Sequence, residues 1–238
     1  MGKVIYPRKG EVHTAPVTIR PNFADNTWEQ IIECCETNTV PATWVVGEQK
    51  SMTINGTDYL IDIIGKNHDD YADGSGKAPL TFQMHDCYVS TAAIDNVDTS
   101  VNGWTGCQMR ILDLPALLAL MPSEVQDGIK EVRKLTSAGN LSTTINFTAD
   151  KLFLLSEVEI FGRGTGYNWN SFEGEGNQYD YYASGNSPVK YLNGTAKSWW
   201  ERSPLNYTNR GYCRVSETGL PLYNISTYAN GVSFAFCF

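Results

Sequence analysis

The most reactive side chains in this sequence are those of its six cysteines. They are Cys34, Cys35, Cys87, Cys107, Cys213 and Cys237. Their spacings include no C-x-x-C and fit no zinc framework, so we predict that most are buried free thiols that act as small apolar groups. A catalytic thiol must be exposed and have a lowered pKa, and the sequence around Cys213 and Cys237 indicates neither condition.

Carboxylate pairs are the second group of residues that could catalyse a reaction. Two carboxylates that face one another can hydrolyse a glycosidic bond. The sequence contains two candidate pairs, Glu157 with Glu159 and Glu173 with Glu175. Only their close spacing in the sequence supports this chemistry. We therefore predict that the chain is not an enzyme.

Metal-ligating residue types occur in two short clusters, His68-Asp69-Asp70 and His85-Asp86-Cys87. A zinc site needs three or four ligands that neighbouring groups orient, and turn or capping roles account better for both clusters. Residues 69–76 are similar to a calcium loop, but Tyr71 and Leu80 stand where an EF-hand has ligands. We expect no metal and no cofactor, and an irregular calcium site is the open alternative.

Non-covalent recognition is the chemistry indicated near the end of the chain. Residues 198–204, which we call the tryptophan anchor, combine two tryptophans, a Glu-Arg pair and a Ser-Pro turn. In a strand, Trp199 and Trp200 would face opposite sides, so one belongs in the core and the other either in the core or against a sugar. We expect Glu201 and Arg202 to form an internal ion pair or to join a buried hydrogen-bond network.

The segment after the anchor, residues 205–230, is rich in Asn, Tyr, Thr, Ser and Gly. Tyrosine supplies rigid contact area and the small polar residues adapt their hydrogen bonds, so this composition is typical of binding loops. A rigid anchor limits the entropy that such a segment loses on binding. The alternative is an ordinary solvated loop whose tyrosines pack on a sheet.

Hydrophobic periodicity predicts the elements that carry this segment. Residues 26–36 are predicted as a helix capped by Asn26, with an apolar face at 3.6-residue spacing. Residues 43–64 are predicted as two strands joined by a type I′ turn at Asn55-Gly56. Further strands are predicted at residues 80–84, 143–147, 152–155 and 231–238, and further helices at residues 108–120, 123–130 and 156–161.

Strands and helices in separate runs predict an α+β fold, with an antiparallel sheet, flanking helices and long loops. Residues 1–25 contain three prolines and are predicted as an N-terminal arm, and residues 26–238 as one domain. The glycine-rich, aromatic residues 162–187 are predicted as a loop, and its tyrosine-rich part, residues 167–182, is expected to flank the binding segment.

Net charge limits the partners of the chain. Its 238 residues carry a net charge of −8, which repels a phosphate backbone, so we expect no nucleic acid partner. No apolar run reaches the roughly 18 residues that cross a bilayer, and the first twelve residues lack the apolar core of a signal peptide. We expect synthesis in the cytoplasm without membrane insertion, followed by retention there or export within a larger particle.

Four segments together resemble an uncharacterised domain family of prophages and gut bacteria that looks similar to C-type-lectin-like folds. They are residues 28–32 (WEQII), 59–70 (YLIDIIGKNHDD), 150–162 (DKLFLLSEVEIFG) and 198–204 (SWWERSP). The resemblance covers residues 26–238 and implies a C-type-lectin-like domain. It also implies a phage-tail or cell-surface recognition module, similar to the variable proteins of diversity-generating retroelements.

In such proteins a lectin-like scaffold displays a variable C-terminal patch. The implied ligand-binding positions are Leu205, Asn206, Tyr207, Thr208, Asn209, Arg210, Tyr212, Arg214, Tyr223 and Asn224. The implied partner is a cell-surface protein or glycan, and the implied location is a virion tail or a bacterial surface. A homotrimer is compatible with that role.

Two alternatives stay open beside the recognition module. The first is a structural component of a virion or tail, in which the same patch lies between subunits. The second is an enzyme similar to the formylglycine-generating oxidases, which use a cysteine pair late in the chain. The surroundings of Cys213 and Cys237 do not match the active-site motif of that family.

Overall fold

Antiparallel sheets and short helices form the frame of the protein, in an α+β arrangement that confirms the predicted class. The computed structural model describes residues 18–164 and 171–238. Its helices are α1 (Trp28–Glu36), α2 (Gly103–Gly106), α3 (Leu114–Leu118), α4 (Ser123–Gly128), α5 (Glu157–Phe161) and α6 (Asp180–Ala183). Its strands are β1 (Gln49–Ile54), β2 (Thr57–Lys66), β3 (Leu80–Met84), β4 (Val132–Ser137), β5 (Ile145–Asp150), β6 (Lys190–Leu192), β7 (Thr195–Lys197), β8 (Trp199–Pro204), β9 (Gly211–Val215), β10 (Pro221–Ile225) and β11 (Ala235–Cys237).

The strands of the described residues pair in two larger sheets and two hairpins. One sheet has the order β1-β2-β3-β11 and the other β10-β9-β8, while β4 pairs with β5 and β6 with β7. Asn55 and Gly56 have φ values of 49° and 78°, as the predicted type I′ turn between β1 and β2 requires. Phe82 of β3 lies 5.2 Å from the ring of Phe236 and 5.3 Å from that of Phe238, so the last residues of the chain are part of the core.

Helix α1 begins one residue later than predicted. Thr27 caps it, because its hydroxyl accepts a hydrogen bond from the Gln30 amide and the Gln30 side chain accepts one from the Thr27 amide. Asn26 is buried instead, and its side chain donates to the carbonyls of Arg20 and Asn22. The predicted apolar face is confirmed as buried.

Three other predictions of local structure need correction. Residues 108–120 form a π-helical turn (Met109–Asp113) followed by α3, because Pro115 has no amide hydrogen with which to continue an α-helix. Residues 152–155 are not a strand, although Phe153 forms one bridge with Ala235. Helix α4 ends at Gly128, two residues before its predicted end.

The described end of the predicted N-terminal arm packs on the domain. Phe23 is fully buried and its ring stacks on Phe82 at 6.0 Å, and the Trp44 indole donates to the carbonyl of Arg20 at 3.1 Å. Residues 1–17 lie outside the described residues. All six cysteines are buried and free, as the sequence predicted for most of them.

A chain of buried charges links the elements around the tryptophan anchor. The Arg202 guanidinium donates to both carboxylate oxygens of Glu159, at 2.5 and 2.9 Å. Lys134 lies 2.8 Å from Glu159 and 2.6 Å from Asp69, and the Tyr179 hydroxyl donates to Asp69 at 2.8 Å. We call these five residues the buried ion chain, in which two positive charges balance two negative ones.

Electrostatic attraction keeps the buried ion chain charged. Burial alone would raise the pKa of Glu159, but Arg202 and Lys134 outweigh burial and lower it. Burial likewise opposes ionisation of Asp69, yet Lys134 lowers its pKa to about 2. The remaining Arg202 donors bind the carbonyls of Leu135, Leu154 and Glu175, so that the guanidinium is fully satisfied.

The predicted ion pair between Glu201 and Arg202 is therefore wrong. Adjacent residues of a strand point to opposite faces, so Arg202 joins Glu159 while Glu201 lies on the other side of β8. Both side chains are completely buried. The alternative expectation, a buried hydrogen-bond network, is confirmed for Arg202.

We predict that Arg202→Met destabilises the protein severely, because Glu159 would keep its burial and lose its principal partner. A buried ion pair that loses one member costs about 3–5 kcal/mol. Arg210→Met is the matched control, since Arg210 pairs with Asp98 at the surface and its side chain is 67% exposed, where an ion pair contributes little to stability. Urea unfolding followed by tryptophan fluorescence measures both, and equal losses would contradict the prediction.

Candidate functional site

The ten predicted ligand-binding positions differ in exposure. The exposed ones are Tyr207, Arg210 and Tyr223. The partly buried ones are Asn206, Thr208, Asn209, Arg214 and Asn224. Leu205 and Tyr212 are 2% and 1% exposed, so the expectation that these two are displayed is wrong.

Leu205 and Tyr212 support the patch from below. The side chains of β9 alternate between two sides, and that of Tyr212 points inward, where its hydroxyl donates to the carbonyl of Gly103 at 2.9 Å. The amide of Leu205 donates to the carbonyl of Gly211 at 3.1 Å. Neither side chain is available to a ligand while the fold is intact.

Both tryptophans of the anchor are in the core. Trp199 and Trp200 are completely buried, and their indole N–H groups donate to the carbonyls of Pro188 at 2.9 Å and Ala92 at 2.8 Å. Strand β8 is therefore covered on both faces. Of the two roles that the sequence left open for the second tryptophan, core packing is confirmed, and neither ring is exposed to stack on a sugar.

A row of half-exposed apolar side chains follows β10, the edge strand of its sheet. Tyr207 packs against Tyr223 with ring centroids 5.7 Å apart and an interplanar angle of 85°. On β10 and directly before and after it in the sequence, Leu220, Leu222, Ile225 and Tyr228 are between 41% and 56% exposed. We call the six residues the β10 surface.

Four of these six residues were missed by the sequence prediction. The apolar run at residues 220–225 was the available signal, but such a run is equally typical of a buried strand. The resemblance, by contrast, favoured polar positions. Some of those polar side chains already bind other residues of the chain, since Asn209 donates to Asn140 and Arg210 pairs with Asp98.

Three ligand-type side chains converge beside this surface. One ligand atom each from Glu157, Glu201 and Cys213 lies within 4.8 Å of the others, and all three residues are buried. Glu157 is the first residue of α5, and Glu201 and Cys213 lie on the neighbouring strands β8 and β9. We call these residues the Glu-Glu-Cys cluster. It is the only such convergence of ligand atoms in the described ranges.

The electrostatics of the Glu-Glu-Cys cluster favour the protonated forms. Burial, and then the nearby Glu157, raise the pKa of Cys213 and of Glu201 well above their ordinary values. Cys213 of β9 is the register partner of Tyr223 of β10, and directly opposite residues of paired strands lie on the same face. The cluster therefore lies beside the tyrosine pair.

The groupings proposed from sequence spacing are not assembled in the structure. Glu159 belongs to the buried ion chain and not to a pair with Glu157. Glu173 is exposed while Glu175 is buried. Cys213 has Glu157 and Glu201 beside it, in a combination that no local spacing indicated.

The histidine clusters have structural roles. The ring of His68 stacks on Tyr179 with centroids 4.0 Å apart. His85 lies 2.9 Å from Asp62 and the same distance from the Gln49 amide. Both histidines thus make packing or side-chain contacts within the fold, instead of the turn and capping roles that the sequence predicted.

A surface groove of about 960 Å³ opens elsewhere, lined in part by Glu36, Tyr71, Lys130 and Lys151. Its charges are partly paired, since Lys130 lies 2.6 Å from Glu36. None of its lining residues belongs to the β10 surface or to the Glu-Glu-Cys cluster. In the described residues, none of the helices has the length and apolar character to span a membrane.

Residues 81–238 match a family model described as "Domain of unknown function (DUF6273)". The match extends from β3 to the end of the chain, so it includes the tryptophan anchor, the β10 surface and the Glu-Glu-Cys cluster. No curated protein and no solved structure shows significant similarity to the chain.

We predict that Glu175 makes stability fall as pH rises. Burial raises its pKa from 4.5 to about 7, so between these values the folded protein holds a proton that the unfolded chain has lost. The free energy of unfolding should then decrease across this window, and Glu175→Gln should reduce the decrease by up to about 3 kcal/mol.

Glu173→Gln is the matched control, because Glu173 is exposed and two residues away. Urea unfolding at a series of pH values between about 4.5 and 7 gives the slopes for the native protein and both variants. The native slope should persist in Glu173→Gln and be shallower in Glu175→Gln. Parallel curves for all three proteins would contradict a raised pKa at Glu175.

Proposed function

The chain belongs to the DUF6273 family, and we propose that it is a non-catalytic recognition module that binds a cell-surface protein through the β10 surface. The observation that carries this proposal is the group of six half-exposed aromatic and aliphatic side chains on the edge strand β10 and in the segments beside it. Grouped exposed apolar side chains mark interaction sites. Tyrosine in particular is enriched among the residues that dominate binding energy.

The frame under this surface limits the cost of binding. Strand β9 lies between β10 and β8, and β8 is completely buried and tied to the buried ion chain through Arg202. Tyr207 and Tyr223 also restrict one another by ring packing. Less side-chain entropy is lost when such a preorganised surface binds its ligand.

Two features favour a protein over a glycan as the ligand. Leu220, Leu222 and Ile225 present aliphatic surface, which gains more from contact with apolar protein side chains than from contact with hydroxyl-rich sugars. In addition, β10 is an edge strand, and a partner can extend a sheet at such an edge by main-chain hydrogen bonds. Both the tryptophans that a sugar could have stacked on are buried.

The proposal includes the finer fold and the biological setting that the sequence resemblance implies. The domain is C-type-lectin-like, and it acts as part of a phage tail or a bacterial surface. Antiparallel sheets with short helices and long connections are compatible with that fold. The placement of the β10 surface close to the chain end is compatible with the variable patch of retroelement-diversified proteins.

The thiols that could have suggested an enzyme support the non-catalytic proposal. Cys213 and Cys237 are completely buried, and burial raises the pKa of each thiol well above its ordinary value. A nucleophilic thiol requires the opposite shift and access for a substrate.

We predict that Tyr207→Ala and Tyr223→Ala each weaken binding to cells at least tenfold, as expected for aromatic residues central to an interface. The fluorescently labelled chain is titrated against a panel of gut-bacterial strains, and bound protein is measured by flow cytometry. Tyr191→Ala is the matched control, because Tyr191 is 46% exposed on the β6-β7 hairpin. All three variants should keep the native melting temperature.

The nature of the partner is tested on the same cells. Protease treatment should abolish binding, whereas periodate oxidation, which destroys glycans, should leave it unchanged. The opposite pattern would identify a glycan ligand. Native binding by both tyrosine variants would refute the role of the β10 surface, and a change in their oligomer size would favour the alternative of a structural virion component.

A further inference from the structure

The Glu-Glu-Cys cluster has a role that surface recognition does not explain. We propose that Glu157, Glu201 and Cys213 bind one Zn²⁺ ion beside the β10 surface. This site is independent of the ligand of that surface, since none of the three residues is exposed.

The geometry of the cluster suits a single small cation. Zinc binds carboxylate oxygen and thiolate sulfur at about 2.0–2.3 Å, so its ligand atoms are roughly 3–4 Å apart in a tetrahedral site. The three ligand atoms here already lie within 4.8 Å of one another. They come from the start of α5 and from two paired strands, so small side-chain rotations are enough to bring them around one ion.

Glu201 provides an independent indication of a ligand. It is completely buried, and neither of its carboxyl oxygens has a hydrogen-bond partner among the described residues. A buried polar group without a partner destabilises the folded state. The side chain points into the cluster, where a cation would satisfy its oxygens.

The charge around Glu201 also favours a cation. Glu157 and Glu175 lie near it and both disfavour its ionisation. Arg202 and Arg214 attract the ionised form of Glu201, although the Arg202 guanidinium binds Glu159 on the other face of β8. Burial and the two glutamates outweigh this attraction, so the acidic groups beside Glu201 are not balanced as those of the buried ion chain are.

The ligand set selects zinc over the common hard cations. Thiolate is a soft ligand that suits Zn²⁺, whereas Mg²⁺ and Ca²⁺ prefer six or more oxygen ligands. Three protein ligands occupy three positions of a tetrahedral zinc site and leave the fourth to a ligand outside this set.

Binding of the ion must release a proton. Coordination by Cys213 needs the thiolate, so the thiol proton passes to the solvent when the ion binds. The apparent affinity should consequently increase with pH.

The full chain, stripped of metal with a chelator that is then removed, is titrated with Zn²⁺ against a chromophoric competitor. We expect one ion per chain, and Glu201→Gln and Cys213→Ser should each bind at least tenfold more weakly. The matched control is Cys107→Ser, which removes a buried thiol outside the cluster and should bind as the native chain does.

Cobalt gives a test that needs no variant. Co²⁺ bound by Cys213 should show the intense sulfur-to-metal charge-transfer band in the near ultraviolet, and Zn²⁺ should abolish it. Bound cobalt without that band would overturn the proposal. Equal zinc affinity in the native chain and the two cluster variants would also overturn it, as would no zinc binding by the native chain.

Discussion

Burial of Arg202 is the constraint on which the structure depends. A guanidinium cannot lose its charge inside a protein, so every surrounding element must supply an acceptor. Glu159 provides two oxygens, and carbonyls from β4, from the segment before α5 and from Glu175 provide the others. Lys134 and Asp69 then balance the charge and extend the contacts to Tyr179. One side chain thus fixes the positions of elements that are far apart in the sequence.

The two faces of β8 lie in different electrostatic environments. On the Arg202 side, charges are balanced and ionised, as the lowered pKa values of Glu159 and Asp69 indicate. On the Glu201 side, acids and a thiol meet without a compensating cation in the cluster, and burial raises the pKa values of Glu201 and Cys213. The alternation of a single strand therefore separates a structural charge network from a group of side chains suited to hold a metal ion.

The proposed recognition surface depends on the same strand. Because β8 is covered on both faces, it gives β9 and the edge strand β10 a fixed support. The exposed tyrosines and aliphatic residues of β10 then face solvent without being needed for the core. Strand β8 thus supports the sheet while β10 carries the proposed contact residues. Substitution of those contact residues should therefore change the free energy of unfolding little.

Local patterns in the sequence determined the α+β class, the type I′ turn at Asn55-Gly56, the helix that starts after Ser156 and the burial of one tryptophan of the anchor. Each of these depends on neighbouring residues or on hydrophobic periodicity. Tertiary structure alone decided that Arg202 binds Glu159 and not Glu201, that Leu205 and Tyr212 point inward, and that Glu157, Glu201 and Cys213 converge. Strand alternation and long-range pairing set these contacts, and neither leaves a fixed spacing in the sequence.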